Sequence, residues 1–352
     1  MFFNGLGTAA PAPRYTQRES WEALKASAHF GRLLPRSHAI LRKVLCGDNG
    51  IAARHLALDP ITEVFELTPD ALHARFARHA PALAVAAAGR ALADADVPAG
   101  EIDALLISTC TGYLCPGLTS YVGEQLRLRP NVFALDLVGQ GCGAALPNLR
   151  TAEAILTAGR ARRVLSICVE VCSAAFYLDD DPGVLISACL FGDGAGAAVL
   201  SLQPPAGRRR VRWRSAMSSL APEKRDILRF SQKHGMLRNI LLPQVPQVAG
   251  AAAARLLNQF LGDQGLHHQD ITGWVLHTGG RDVLLALRDH LGLPAEAVRH
   301  SAAVLNEFGN LSSPTVYFVL ERALKDTPDG RWWMSAFGAG FSCHGALLEV
   351  SP

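Results

Sequence analysis

Apolar positions along this chain repeat with two different periods. Between residues 69 and 94, Leu72, Phe76, Leu83, Ala87 and Leu92 recur at helical spacing, so one long helix with a buried face is expected. Three later runs, 103–109, 132–137 and 164–170, are short and nearly continuous in apolar side chains, as strands covered on both faces are. A glycine-rich turn (Gly139, Gly141, Gly143) precedes a helix expected over 146–158, and another strand, 195–202, follows the glycine cluster FGDGAG. Strands alternating with helices predict a layered α/β fold with much parallel sheet. Residues 1–60 hold Pro, Arg and His without a sustained period, and an irregular arm with two helices is expected there.

The pattern breaks at Pro204-Pro205-Ala206-Gly207, followed by five arginines between 208 and 214. This reads as a solvated connection between two units, 1–203 and 208–352. No aromatic platform or second basic cluster accompanies the arginines, so a nucleic-acid site is not indicated. The second unit repeats the first at one offset. Thr109 lies 168 residues before His277, and the same offset pairs Gly112 with Gly280, Gly141 with Gly309, Cys142 with Asn310, and Glu153 with Glu321. Thr109 and His277 each end an apolar strand ahead of a glycine turn, while Cys142 and Asn310 each follow a glycine and open a helix. A register shared by this many landmarks implies an internal duplication, with two similar α/β halves about a pseudo-twofold axis.

Composition narrows the class further. Of 352 residues 49% are apolar and 18% charged, which excludes a disordered or collagen-like chain and predicts a large buried core. The net charge of +3 provides no strong field for nucleic acid or acidic lipid. No apolar run approaches the roughly 20 residues that span a bilayer, and the start of the chain does not resemble a secretory leader. A soluble, cytoplasmic protein without integral membrane association is expected. The eight cysteines include no Cys-x-x-Cys pair and no zinc-like spacing, so neither a disulfide framework nor a metal site is expected. Most should be small buried hydrophobes.

The duplication singles out one cysteine. Equivalent positions of paired halves converge near the axis, which brings Cys142, His277 and Asn310 together. A cysteine at a helix N-terminus meets unpaired backbone N–H groups that favour thiolate, and a nearby imidazole strengthens this. Cys142 is therefore expected to be the first of the eight to be alkylated. An amide side chain beside an imidazole N–H can bind a developing oxyanion.

The stretches GQGCGAALPNLR around Cys142, WVLHTGG around His277, FGNLSSP around Asn310 and LFGDGAGAAVL around Phe191 resemble those of type III polyketide synthases, the chalcone and stilbene synthase family, with bacterial members as the nearer match. The closing AFGAGFSCHGALLEV is similar to that family's C-terminal glycine-rich loop and last strand. The resemblance implies the thiolase fold, an α/β fold of two duplicated halves in αβαβα layers. It also implies decarboxylative Claisen condensation of malonyl-CoA onto an acyl-CoA starter, held as a thioester on Cys142, with His277 and Asn310 binding the enolate oxygen. No cofactor is implied, since the CoA thioesters are substrates, and the assembly implied is a homodimer. Ketoacyl-carrier-protein synthase III shares the Cys-His-Asn set, but its His precedes Gln-Ala-Asn, whereas Thr278-Gly279-Gly280 stands here. A non-condensing thiolase-fold protein that binds acyl-CoA is the other alternative.

The implied substrate-binding set is Phe191 (the gatekeeper aromatic), Cys110, Cys115, Cys172, Ala175, Gly279, Gly280 and Ser312. Cys110 and Cys115 fall in STCTGYLCPG, which in the family lines the starter pocket and crosses the dimer interface. Cys172 and Ala175 match cavity positions often filled by Thr in plant members. A second gatekeeper Phe belongs in 237–246, yet LRNILLPQVP has no aromatic, so that role is vacant or altered. The small Ala175 and this stretch suggest a medium- or long-chain fatty acyl starter, giving alkylresorcinols or alkylpyrones.

Overall fold

The computed structural model describes all 352 residues. Nine strands form one sheet, in the spatial order Ile271–Leu276, Gly330–Gly338, Ser342–Ser351, Arg210–Leu220, Phe2–Ala9, Gly194–Ser201, Arg163–Glu170, Ala104–Ser108 and Phe133–Leu137. Outward from the junction of Phe2–Ala9 with Arg210–Leu220, each side takes two antiparallel steps and then a parallel one. This mirrored order is the duplication expressed as topology. The first half alone adds an edge strand, Phe133–Leu137. Its counterpart by the 168-residue offset falls within the helix Arg299–Phe308.

Alternation along the strands sorts side chains into layers. Ala104 and Leu106 join the same central core as Trp332 and Met334. Leu105 and Ile107 face an outer core built with the helix Pro69–Ala95, while Trp333 and Phe337 face another built with Val245–Gln264 and Arg281–His290. The central core encloses the helices Ala145–Thr157 and Thr315–Ala323. The layers therefore run αβαβα. Glu153 on one inner helix accepts from Trp213 Nε1 at 3.0 Å, and Glu321 on the other accepts from Thr8 Oγ1 at 2.8 Å. Each inner helix is thereby tied to the first strand of the opposite half.

The long helix begins where Thr68 caps the N–H of Ala71 and Pro69 fills the first turn. All five apolar positions of its periodic stripe are buried. Two expectations need correcting. Residues 1–60 do contain two helices, Gln17–Ala26 and Pro35–Cys46, but Phe2–Ala9 is a strand at the centre of the sheet. Its pattern is broken by Gly5 and Gly7, where a Cβ would lie 2.2 and 2.3 Å from the carbonyl oxygens of Ala91 and Ala87 on the crossing helix. Close approach, not irregularity, explains those glycines. The basic run is likewise only partly a connection. Arg210, Arg212 and Arg214 lie on the exposed side of a strand, alternating with buried Val211 and Trp213.

Candidate active site

The edge strand Phe133–Leu137 leads into the tight turn Gly141–Gly143, and the inner helix follows at Ala145. Gly141 has φ +55°. The end of the strand Gly330–Gly338 backs directly onto this turn: a Cβ on Gly338 would lie 2.5 Å from Gln140 O and Gly143 N. The Cys142 side chain receives one hydrogen bond, from Ser312 Oγ at 3.2 Å. Burial pushes its thiol up to about 12, with the Ser312 bond pulling the other way. Burial therefore works against the thiolate that the helix terminus favours. Cys46 and Cys115, by contrast, are exposed.

His277 follows the strand Ile271–Leu276 and is 1% exposed. Neither Nδ1 nor Nε2 has a hydrogen-bond partner, and burial alone lowers its pKa to about 3. It is a neutral imidazole with one uncommitted N–H, its ring 5.1 Å from that of Phe337. Asn310 stands just past Gly309, whose φ of +73° turns the chain out of its helix. Its amide is fixed on both sides: Oδ1 accepts from Ser312 N at 2.8 Å and Nδ2 donates to Gly279 O at 3.1 Å. The second N–H of that amide is left free. The backbone of Asn310 bridges to Phe191, donating to Leu190 O at 2.9 Å and accepting from Gly192 N at 3.0 Å.

Ser312 Oγ also lies 3.4 Å from Glu170 Oε1. Glu170 is fully buried and gathers Ser313 Oγ at 2.7 Å, Thr111 Oγ1 at 2.9 Å, Cys110 N at 3.0 Å and Cys110 Sγ at 3.3 Å. Burial nonetheless raises its pKa, the hydrogen bonds offsetting this only in part. Sequence reasoning passed over Glu170, although a carboxylate closing the apolar run VLSICVE was the available signal.

A cavity of about 1150 Å³, counting its open mouth, begins at Cys142, and 22 of its 31 lining residues are hydrophobic. Of the expected set, Cys110, Cys172, Ala175, Phe191 and Ser312 line it. Cys115 is exposed outside it, and Gly279 and Gly280 flank His277 at the start of the next helix instead. The cavity is also lined by Leu24, Leu41 and Leu45 on the two N-terminal helices and by Ile61, Val64 and Phe65 on the short helix that follows them in the chain. The stretch 237–246 contributes Asn239, and the aromatic comes from its ribbon partner, since Phe230 pairs with Asn239 and also lines the cavity. No group of three or more His, Cys, Asp or Glu side chains is placed to hold a metal ion.

A duplicated αβαβα fold, with a cysteine on the turn before one inner helix, places the chain among the thiolase-fold condensing enzymes. Residues 24–218 match the family model described as FAE1/Type III polyketide synthase-like protein, and 213–350 match that of chalcone and stilbene synthases, C-terminal domain. The chain belongs to the type III polyketide synthase family, acyltransferases that condense CoA thioesters without a cofactor. It is 31% identical to the alpha-pyrone synthesis polyketide synthase-like Pks18 of Mycobacterium tuberculosis, over 85% of this chain and 80% of that one. It is 30% identical to the 3,5-dihydroxyphenylacetyl-CoA synthase of Streptomyces toyocaensis, over 98% and 89%. Among solved structures, PKS-I of the brown alga Ectocarpus siliculosus superposes with a TM-score of 0.90 at 26% identity, covering 99% of this chain and 97% of that one. The 1,3,6,8-tetrahydroxynaphthalene synthase of Streptomyces coelicolor A3(2) gives 0.88 at 25% identity, with both chains fully covered. No helix is long and apolar enough to cross a membrane.

Proposed function

We propose that the enzyme extends a medium- or long-chain fatty acyl-CoA with malonyl-CoA, the half 1–203 carrying the acyl group on Cys142 and the half 208–352 supplying His277 and Asn310. The observation that carries the starter class is the apolar cavity running from Cys142 past Ala175 and Phe191 to the N-terminal helices. An acyl chain gains roughly 0.8 kcal/mol per buried methylene, so six further carbons favour binding by about 5 kcal/mol before ordering costs. The mycobacterial relative is named for alpha-pyrone synthesis, which supports alkylpyrones as the product class.

The chemistry follows from the charge states. The Cys142 thiol adds to the starter carbonyl, its proton leaves with the CoA thiol, and the acyl group remains as a thioester. Malonyl-CoA then loses carbon dioxide. The enolate oxygen that develops meets two neutral donors, the His277 N–H and the free Asn310 N–H, whose orientation is set before charge appears. The enolate carbon attacks the thioester, Cys142 leaves as the thiolate and takes up a proton, and the extended chain on CoA returns to the cysteine for another round. Phe191 stands between the two substrates. Cys110, Cys172, Ala175 and Ser312 shape the acyl side.

The enzyme is expected to work in the cytoplasm as a homodimer. Phe133 on the edge strand is 52% exposed, with Val138 at 59% and Tyr113 at 70% nearby in chain order or sheet position. An exposed apolar edge strand of this kind calls for a partner. The deciding experiment is mass spectrometry of products from a panel of acyl-CoA starters with malonyl-CoA. Starter-derived pyrones or resorcinols from octanoyl-CoA and longer chains support the reading, and products only from acetyl- or malonyl-CoA overturn the starter class. Hydrolysis without extension would favour the non-condensing alternative.

A further inference from the structure

The carboxyl end of the helix Pro182–Leu190 is where the gate residue and the carboxamide meet, and each of the carbonyls it leaves open has a partner. Ala188 O and Phe191 O accept from Arg54 Nη1 at 2.9 and 3.1 Å. Cys189 O accepts from Gln17 Nε2 at 3.0 Å, and Leu190 O accepts from the N–H of Asn310 at 2.9 Å. Arg54 is held in turn by Gln17 Oε1, which accepts from Nε at 3.2 Å, and by Ser20 Oγ, 3.2 Å from Nη2. The arginine is 5% exposed, and none of these partners carries a charge. What compensates the buried guanidinium is the negative end of the helix dipole, where Nη1 alone serves two carbonyls, together with the buried carboxyl of Asp193.

The arginine stem does a second thing. A Cβ added to Gly309 would lie 2.9 Å from Arg54 Cγ and 2.6 Å from Leu190 O, so the stem packs flat against the residue that precedes Asn310. Arg54 thus touches the backbone on both sides of the Phe191–Asn310 bridge, and it does so from the N-terminal arm, on the short strand Ala53–His55.

We propose that Arg54, steadied by Gln17, is a positioning residue for condensation: it fixes Phe191 and Asn310 relative to each other. This rests on the reading that Asn310 stabilises the enolate. Arg54 itself does not reach the reacting atoms. Lysine would keep the charge but could not span two carbonyls, Gln17 and Ser20 at once.

The test separates loading from decarboxylation, because only the second step uses the Asn310 amide. For Arg54→Lys, acylation of Cys142 by an acyl-CoA, read by intact-protein mass spectrometry, is expected to proceed as in the wild type. The kcat for malonyl-CoA decarboxylation without starter should fall roughly tenfold at little change in KM, short of the 10²–10³ expected for loss of an oxyanion donor outright. Gln17→Ala should shift kcat in the same direction by a smaller factor, and it decides the matter alone if Arg54→Lys does not fold. Decarboxylation within twofold of wild type in the folded variants overturns the clamp. So does a parallel fall of loading and decarboxylation that tracks the loss of folded protein in thermal melts. A wild-type enzyme inert toward malonyl-CoA would overturn the functional reading and the clamp with it, whereas an active wild type with unaffected variants overturns the clamp alone.

Discussion

Ser312 and Cys142 are joined by a single hydrogen bond, 3.2 Å from hydroxyl oxygen to sulfur, and the same hydroxyl stands 3.4 Å from the buried carboxyl of Glu170. One hydroxyl proton is therefore shared between that sulfur and the carboxyl, with Cys110 Sγ a third neighbour at 3.6 Å. Loss of the hydroxyl leaves the thiol in a drier and more negative surrounding, which disfavours the thiolate.

The first prediction is a pH profile. With the thiol pushed up to about 12, the thiolate grows about tenfold per pH unit across pH 6–9. Alkylation of Cys142 by iodoacetamide should rise with that slope and show no plateau, and Ser312→Ala should slow it further at every pH. Exposed Cys46 and Cys115 should be modified first, the reverse of what the helix terminus alone suggests. A plateau below pH 8, read by peptide mapping, would show instead a preformed thiolate–imidazolium pair.

Acid stability provides a second prediction. His277 has a folded pKa of about 3, far below its ordinary value. Its neutral form therefore supports the fold above about 6.5, and that support is lost as pH falls from there toward 3. The loss is roughly 1.4 kcal/mol per pH unit while only the unfolded chain takes up the proton. Denaturant melts of the wild type and His277→Gln should thus differ by a term that changes with this slope between pH 6 and 4. Glu170 and Asp193, whose pKa values are raised, act in the opposite sense and are common to both proteins. Parallel stability curves would contradict the buried neutral imidazole.

The depth of the acyl channel can be measured from its two ends. Ala175→Trp fills the cavity near Cys142, so it should restrict loading to short acyl groups. Leu45→Trp fills the part lined by the N-terminal helix, so it should reject only the longest chains and leave octanoyl-CoA nearly unaffected. Competition assays with an acyl-CoA ladder would show this. Identical cut-offs for the two variants would mean that acyl chains do not follow the cavity to the arm.

Light scattering tests the assembly. The wild type should show twice the mass of the 37.6 kDa chain at micromolar concentration. Placing a charge on the edge strand, as in Phe133→Arg, should shift the equilibrium toward the monomer. A wild-type mass near that of one chain would refute the dimer.

Much of the site was legible because chemistry and repeat coincide. The register that pairs Cys142 with Asn310 and Thr109 with His277 survives in the mirrored sheet, and the stripe of the long helix and the short apolar strands survive with it. What stayed hidden depends on third partners. Gly5 and Gly7 disguise the central strand because their reason is a helix some 80 residues away in the chain. Phe230 enters the cavity across a hairpin from the stretch where an aromatic was sought, a matter of cross-strand register that the 237–246 window does not contain. Arg54 and Gln17 look like ordinary polar residues of an arm, and only the carbonyls they grip give them meaning.

The place of Phe2–Ala9 bears on how the molecule is made. That strand is synthesised well before either of its neighbours in the sheet, Gly194–Ser201 and Arg210–Leu220. Its ladder on one side waits for about 200 further residues to be synthesised, and on the other for the start of the second half. Until then a flexible, glycine-bearing segment has only the long helix to rest on. The first half can close its own sheet once Gly194–Ser201 is made, but one edge of Phe2–Ala9 stays open until the second half begins. The centre of the sheet is sealed on both sides only once synthesis has passed the junction that joins the halves.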